Sequence, residues 1–408
     1  MLTRTLRLYV DAFSGISREV WFLALISLIN RSGTMVVPFL SVYLKSQLGF
    51  SYSQIGMVMS IFGLGSLIGT YLGGKLTDRI GFYPVLAGSL AGGGLSFIIL
   101  GFLNSFPTWC VAVLFMGMIG EAFRPALFTG LASFSGNIQQ TRGTSLIRLA
   151  VNLGISVGPA VGGFIAYHIS FSGLFWADGL TCILAAFCLL LLLPYRKNRM
   201  ATGDDNPRET GISAYRDSRF MTFAGLLVLT ALGFMQFFLL IPMYYKEHFL
   251  FNESQIGLLL ALNGLLIVFF EMPIVHLLDQ RIHKLRLIAL GSGLLGLSFL
   301  LLVPGFQAWP IAVCSLVMLT MGEIFNMPFA NSFAMNQASE GRRGQYMALY
   351  SMTYSVAHIL APGLGAALIS RYGYNILWAL NALLCGISMS GFFLMGKYPF
   401  TSRSKLTP

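Results

Sequence analysis

The sequence predicts an all-α membrane protein with twelve transmembrane helices in two six-helix bundles, and three observations lead to this prediction. First, 56% of the 408 residues are apolar and only 10% are charged, giving a mean hydropathy of +0.74. Second, apolar runs of about 20 residues, long enough to cross a bilayer as a helix, recur along the chain. Third, the two halves of the chain repeat one another. Since so little polar surface excludes a soluble enzyme, we expect no enzymatic activity.

The predicted spans are apolar runs bounded by glycine, proline, asparagine and charged residues. They are 20–43, 53–75, 84–104, 107–131, 144–169, 172–194, 220–245, 254–277, 286–304, 309–334, 345–370 and 374–396. The only long polar connection lies between spans six and seven. We therefore predict an N-terminal six-helix bundle over 1–194, a central loop over 195–219 and a C-terminal six-helix bundle over 220–408.

Basic residues are concentrated on one predicted side of the membrane. Of the 26 Lys and Arg residues, 21 fall on the side of the N-terminus, whereas Lys45, Lys246 and Arg371 fall on the other side. Because positive charge marks cytoplasmic loops, both termini and the central loop are predicted to be cytoplasmic, in a bacterial inner membrane. The net charge of +11 therefore reflects orientation, and we expect no nucleic-acid partner.

The internal repeat has a spacing of about 200 residues. The segment GEAFRPALF, from Gly120, matches GEIFNMPFA, from Gly322, and LFWADG, from Leu174, matches ILWALN, from Ile376. Apolar helices resemble one another by composition, but composition does not place Glu, Pro and Trp at nearly one spacing. Repeats of six spans are typical of secondary transporters, whose central site lies where the two halves meet.

A glycine-rich motif lies between spans two and three. GKLTDRIG, at 74–81, has glycines suited to a tight turn and an Asp-Arg pair that can form or break charge-assisted contacts. It resembles the loop signature G-x-x-x-D-R-x-G of the major facilitator superfamily, which implies a cytoplasmic gate formed by Gly74, Asp78, Arg79 and Gly81. The alternative is a basic loop that only orients the chain. The sequence departs from the family at Phe82 and Tyr83, where basic residues are usual.

A second motif lies in span five. GISVGPAVGG, at 154–163, resembles the complete antiporter motif G-x-x-x-G-P-x-x-G-G of the same superfamily, through Gly154, Gly158, Pro159, Gly162 and Gly163. Glycines at every fourth position form a smooth stripe that a second helix can approach closely. The resemblance extends over essentially the whole chain, to the twelve-span drug:proton antiporter branch. It implies a role in conformational switching, which is compatible with the alternative of simple helix packing.

Charged residues inside spans are costly and are therefore candidates for function. They are Arg31, Glu121, Arg124, Asp178, Glu271 and Glu323. Arg31 and Glu121 fall near mid-membrane, on helices that face the central cavity in this superfamily, so we predict that they pair. Arg124 shares a helical face with Glu121. A carboxylate whose basic partners change during transport can couple that change to proton binding; the alternative is a permanent structural pair.

Further candidates lie in the second half and in span six. Glu323 is the repeat equivalent of Glu121 and has no basic residue within four positions, so we predict a second proton carrier that holds its proton at rest. Asn30, Gln236 and Asn326 are polar residues predicted to line the central cavity. Asp178, by contrast, is predicted to be solvated or to cap a helix.

These observations predict a proton-driven antiporter that exports amphipathic or drug-like small molecules. Its expected partners are a small-molecule substrate, protons and the lipid bilayer, and we expect a monomer. No phosphate-binding loop of the type G-x-x-x-x-G-K-[ST] and no histidine pair with metal-ligand spacing occurs in the sequence, so we expect neither a cofactor nor a metal. The alternatives are a proton-coupled symporter that imports a metabolite and a non-transporting membrane receptor on the same scaffold.

Overall fold

The computed structural model describes residues 16–134, 137–195, 213–278, 281–304, 309–337 and 343–397. Most of the predicted central loop, 195–219, lies outside these residues, as do the first 15 residues and the C-terminal tail. Within the described ranges the regular structure is helical and contains no strand. The all-α prediction is therefore confirmed.

Fourteen helices of five or more residues follow one another along the described chain. They are α1 (Arg18–Ser32), α2 (Val36–Ser46), α3 (Tyr52–Ile80), α4 (Phe82–Leu100), α5 (Phe106–Glu121), α6 (Phe123–Phe134), α7 (Asn137–His168), α8 (Phe171–Leu192), α9 (Ser218–Leu239), α10 (Ile241–Glu247), α11 (Glu253–Leu278), α12 (Lys284–Leu300), α13 (Trp309–Gln337) and α14 (Arg343–Lys397). A short 3-10 helix, Ala214–Arg216, precedes α9.

Ten helical segments of the described chain are long and apolar enough to cross a membrane. Two features explain why this number is smaller than the number of predicted spans. At 17 residues, α12 is slightly short, and α14 joins predicted spans eleven and twelve through Gly373, whose φ of 78° is not helical. The presence of membrane-spanning helices is thus confirmed, whereas the number twelve stays a prediction.

The chain separates into two compact units. Unit 1 comprises 1–202, 238–268 and 362–367, and unit 2 comprises 203–237, 269–361 and 368–408. Each unit has its own cluster of buried apolar side chains.

Unit 1 depends on close contact between α3 and α5. Gly69 and Gly73 lie one turn apart on α3, facing Met118 and the helix end at Ala122. A Cβ atom at Gly69 would lie 2.6 Å from the Met118 Cα, and one at Gly73 would lie 2.6 Å from the Ala122 Cα. The helices therefore pack backbone to backbone, which is how helices associate where lipid supplies no hydrophobic drive.

Unit 2 has a core of aromatic rings. Phe223 on α9 packs against Phe333 on α13, with ring centroids 4.7 Å apart, and against Phe392 on α14, at 5.6 Å. All three side chains are buried. Aromatic pairs at these distances contribute packing energy beyond the area they bury.

Candidate functional site

The first predicted span is broken near its middle, and opposite charges lie at the break. α1 ends at Ser32 and α2 begins at Val36. The carboxylate of Asp178 on α8 accepts hydrogen bonds from the backbone N–H groups of Met35, at 2.9 Å, and Val36, at 2.8 Å. Arg31 lies in the last turn of α1. Each charge therefore complements the partial charge of the helix end that it meets.

Asp178 is one residue whose environment the sequence did not fully predict. Its side chain is 0% exposed, so the solvated alternative is wrong. The capping role is confirmed, although the helix that Asp178 caps is α2 rather than its own. A carboxylate that accepts several backbone N–H bonds is stabilised in its charged form, which offsets part of the cost of its burial.

Arg31 lies in the electrostatic field of two other predicted site residues. Glu121, at the end of α5, attracts the charge of Arg31, whereas Arg124, in the first turn of α6, repels it. The Nε atom of Arg31 is buried and has no hydrogen-bond partner among the described residues. Asn30 turns to α8, where its Nδ2 donates to the Cys182 Sγ at 3.4 Å. We call the three interacting charges of Arg31, Glu121 and Arg124 the Arg31 cluster; Arg124 lies at its exposed edge.

The glycines of the antiporter motif bring α7 against the break in the first span. A Cβ at Gly154 would lie 2.7 Å from the Arg31 Cβ, and a Cβ at Gly162 would lie 2.8 Å from the Met35 Cβ. Between them, Gly158 faces the carbonyl oxygens of Arg31, Ser32 and Thr34, at 3.1 to 3.3 Å from its ideal Cβ position. The stripe therefore fixes the backbone on both sides of the break.

The same motif contacts α11 with its remaining residues. Gly163 faces Gly257 so closely that a Cβ at Gly163 would lie 3.1 Å from the Gly257 Cα. Gly257 in turn faces the carbonyl of Pro159. One helix of unit 1 thus uses two faces of a single motif to contact two neighbours.

A cluster of polar residues in unit 1 was not predicted from sequence. The Tyr52 hydroxyl donates to Glu247 Oε2 at 2.8 Å, and the Lys45 Nζ lies 4.0 Å from the centre of the Tyr52 ring. Lys246 pairs with the nearly buried Glu253 at 2.8 Å. The segments 45–52 and 246–253 are about 200 positions apart in the sequence. Their opposite charges were therefore the only sequence signal for a contact between them.

The loop motif occupies the junction of α3 and α4. Gly81 has φ 93° and ψ 162°, a conformation essentially restricted to glycine, and its N–H donates to the Thr77 carbonyl at 3.0 Å. Gly74 has open space around it. Asp78 and Arg79 are both exposed.

The departure from the family at Phe82 and Tyr83 has a packing explanation. Phe82 is fully buried, and its ring packs against Phe134 with centroids 5.6 Å apart. Gly130 leaves room for that ring, since a Cβ at Gly130 would lie 2.9 Å from it. The side chains that replace the usual basic residues therefore belong to the core of unit 1.

Unit 2 holds the remaining predicted site residues. Glu323 and Asn326 on α13 line one small cavity together with Thr230 and Tyr354. Gln236 is also buried, and its Nε2 donates to the Ala361 carbonyl at 3.1 Å. Glu121 and Glu323, equivalent in the repeat, thus belong to different units. No group of His, Cys, Asp and Glu side chains in the described part of the chain could hold a metal ion.

Comparison with known proteins identifies one protein family and several transporters as relatives. The family model described as Major Facilitator Superfamily matches residues 20–362. A Na(+), Li(+), K(+)/H(+) antiporter of Planococcus maritimus is 25% identical, with 89% of this chain and 91% of the relative covered. The quinolone resistance protein NorA of Staphylococcus aureus is 23% identical, with 88% and 90% covered.

Solved structures share the fold at low sequence identity. A POT family transporter in complex with 5-aminolevulinic acid has a TM-score of 0.78 and 16% identity, with 94% of this chain and 97% of that chain covered. The nucleoside transporter NupG has a TM-score of 0.75 and 16% identity, with 94% and 100% covered. These similarities concern the fold.

Proposed function

Because the chain belongs to the major facilitator superfamily, and is therefore a multi-pass membrane transporter, we propose that it is a proton-coupled antiporter. It exports amphipathic or drug-like small molecules by alternating access. The relatives support this proposal, since one of them is a cation/proton antiporter and another a quinolone resistance protein.

The observation that carries the proposal is the charge balance of the Arg31 cluster. Glu121 is the acid that offsets Arg31 while Arg124 opposes it. When Glu121 is ionised, the three groups carry one net positive charge, and when it binds a proton they carry two. A proton and a cationic substrate therefore compete for the Glu121 carboxylate, because each adds a positive charge to the cluster and so disfavours binding of the other. Such competition is the requirement for exchange.

Four arrangements predicted from sequence belong to the same proposal. The chain has twelve spans, with an N-terminal bundle over 1–194, a central loop over 195–219 and a C-terminal bundle over 220–408. Both termini are cytoplasmic, because the loops on their side carry most of the basic residues. The junction of α3 and α4, with exposed Asp78 and Arg79, is a cytoplasmic gate, and the α7 motif takes part in conformational switching.

A second candidate substrate class is monovalent cations. It is favoured by the Planococcus maritimus relative, which is an antiporter of Na⁺, Li⁺ and K⁺ against protons. The charge competition at Glu121 would apply equally to a small inorganic cation and to an organic one, so the two classes need a direct comparison.

The test is proton movement in proteoliposomes that contain a pH-sensitive dye. Ethidium, norfloxacin, NaCl, LiCl and KCl are added in turn to wild type and to the variants Glu121→Gln and Glu323→Gln. The matched control is Glu19→Gln, which changes a carboxylate in the first turn of α1. We expect proton movement opposite to that of ethidium or norfloxacin, lost in one or both site variants and retained in the control.

The other outcomes discriminate between the alternatives. Exchange with the salts alone would replace the organic substrate class with monovalent cations. Proton movement in the same direction as the compound would replace antiport with symport, and no proton movement with any of the probes would contradict the proposed coupling.

A further inference from the structure

A chain of hydrogen bonds joins four buried side chains of unit 2. Asn326 Nδ2 lies 3.1 Å from Ser292 Oγ, which lies 3.0 Å from Thr230 Oγ1, which lies 2.6 Å from Ser388 Oγ. Ser388 donates to the Leu226 carbonyl at 2.8 Å. All four residues are at most 2% exposed. The chain connects α9, α12, α13 and α14.

The direction of every bond in this chain follows from the number of protons available. A carbonyl only accepts, so Ser388 uses its single proton on Leu226. Thr230 must therefore donate to Ser388, and its own proton is then used. Ser292 must in turn donate to Thr230, which leaves Ser292 as the acceptor of a bond from Asn326.

This sequence of donors fixes the orientation of the Asn326 amide. Its Nδ2 donates to Ser292 and also, at 3.4 Å, to the Ile288 carbonyl. A flipped amide would set its oxygen against the Ile288 carbonyl and against a hydroxyl that has no proton to give. The Ser292 Oγ and the Ile288 carbonyl oxygen, both on α12, therefore require the NH₂ group to face them. The amide oxygen Oδ1 is then directed away from α12.

The cavity beside this amide contains Glu323, one turn earlier on α13. The titratable neighbours are Tyr354, which interacts electrostatically with Glu323, and Tyr350, whose ring packs against Tyr354 with centroids 5.4 Å apart. The cavity has room for about one water molecule. Its other lining residues, besides Thr230, are Ala231, Phe234, Leu295 and Met327, none of which titrates.

We propose that Asn326 is a positioning residue that favours the protonated form of Glu323, with its orientation fixed by Ser292, Thr230 and Ser388. The amide oxygen accepts a hydrogen bond directly from a protonated carboxyl, but it offers nothing to a carboxylate. The inference rests on the proposed function in that it assigns Glu323 to proton coupling. It adds a device, built from neutral groups, that sets the pH at which this carboxyl exchanges its proton.

The test is an infrared pH titration of the purified protein in detergent, which requires no substrate. The titrating signal is the C=O stretch of a protonated carboxyl, assigned to Glu323 by its loss in Glu323→Gln. Thr230→Val preserves shape but interrupts the hydrogen-bond chain, which frees the Ser292 proton to bond to the Asn326 Oδ1. Only the longer contact with the Ile288 carbonyl, at 3.4 Å, then still favours the original amide orientation. Ser292→Ala interrupts the chain at the neighbouring position and provides an independent variant.

The matched control is Ser315→Ala. Like the hydroxyls of the hydrogen-bond chain, the Ser315 hydroxyl is buried. It lies on α13 and donates to the Ser298 carbonyl of α12 at 2.9 Å, but it is not part of the hydrogen-bond chain. We expect both chain variants to shift the titration midpoint of the Glu323 signal to lower pH by about 0.5–1 unit, the effect of one hydrogen bond on a titrating group. The control should leave the midpoint unchanged.

Two results would overturn the inference. One is that Thr230→Val and Ser292→Ala both titrate with the same midpoint as Ser315→Ala, although melting temperatures and elution volumes show that both variants are folded. The other is a shift to higher pH. If the variants show the expected infrared shifts but the wild-type protein moves no protons in proteoliposomes, the proposed function is contradicted while the positioning role of Asn326 remains.

Discussion

At the scale of single residues, Asp178 has the clearest structural consequence. Its carboxylate satisfies two backbone N–H groups at the start of α2, and both would otherwise be buried without partners. The same carboxylate is fully buried, so its charge depends on these bonds. The residue therefore maintains the break in the first span that places Arg31 at a helix end.

The first prediction concerns the substitution Asp178→Asn. The amide keeps the size of the side chain but turns an NH₂ group toward a backbone N–H, which leaves one buried donor unsatisfied. We expect the free energy of unfolding to fall by about 1–3 kcal/mol, seen as a lower melting temperature in detergent. The control is Asp78→Asn, at an exposed position. Equal melting temperatures for the two variants would contradict the capping role.

The second prediction concerns the backbone at Gly81. Its φ of 93° and ψ of 162° lie in a region where a Cβ atom causes strain of about 1–3 kcal/mol. Gly81→Ala should therefore lower the melting temperature in detergent. Gly74→Ala serves as the control from the same motif, because nothing lies within 4 Å of its ideal Cβ. A Gly81→Ala protein as stable as Gly74→Ala would show that the junction of α3 and α4 adapts freely.

At the scale of elements, α7 is the helix on which unit 1 depends most visibly. Its glycines meet the broken first span on one face and α11 on the other. Because most of these contacts are to backbone and Cβ atoms, few side chains could reorient to accept added volume. Small changes on α7 should therefore displace its neighbours.

The third prediction is that Gly154→Ala destabilises the protein by about 1–3 kcal/mol through overpacking. The new methyl group would lie 2.7 Å from the Arg31 Cβ and 2.9 Å from the Ser32 nitrogen. Gly88→Ala, in α4, is the control, since nothing lies within 4 Å of its ideal Cβ. Thermal unfolding of both variants in detergent measures the difference, and an unchanged melting temperature for Gly154→Ala would mean that α1 and α7 separate without cost.

At the scale of the whole molecule, charge distribution predicts orientation. The fourth prediction is that green fluorescent protein fused after Pro408 is fluorescent, whereas alkaline phosphatase fused there is inactive. Fusions after Asn252, in the connection between α10 and α11, should give the opposite result, because that connection belongs to the side with three basic residues. Active phosphatase at the C-terminus would invert the proposed topology.

Much of the molecule could be predicted from sequence because the relevant signals are local. Hydropathy located the helices, including α3 and α8, to within a few residues at most ends. The glycine spacing of 154–163 indicated a close helix contact, although it did not identify the partners. The breaks at residues 33–35, at Ala122 and at Leu240 were not predicted, although Pro38, Pro125 and Pro242 lie in the first turn of the helices that follow them.

The sequence by itself determined that this protein is a helical membrane transporter of a recognisable superfamily, because apolar runs, basic loops and motif spacing are properties of neighbouring residues. Tertiary structure alone decided which buried polar groups meet. Asp178 reaches a backbone 143 positions away, and Thr230 meets a hydroxyl 158 positions away. Hydrogen bonds require contact within about 3 Å, and only the packing of distant helices brings such groups together.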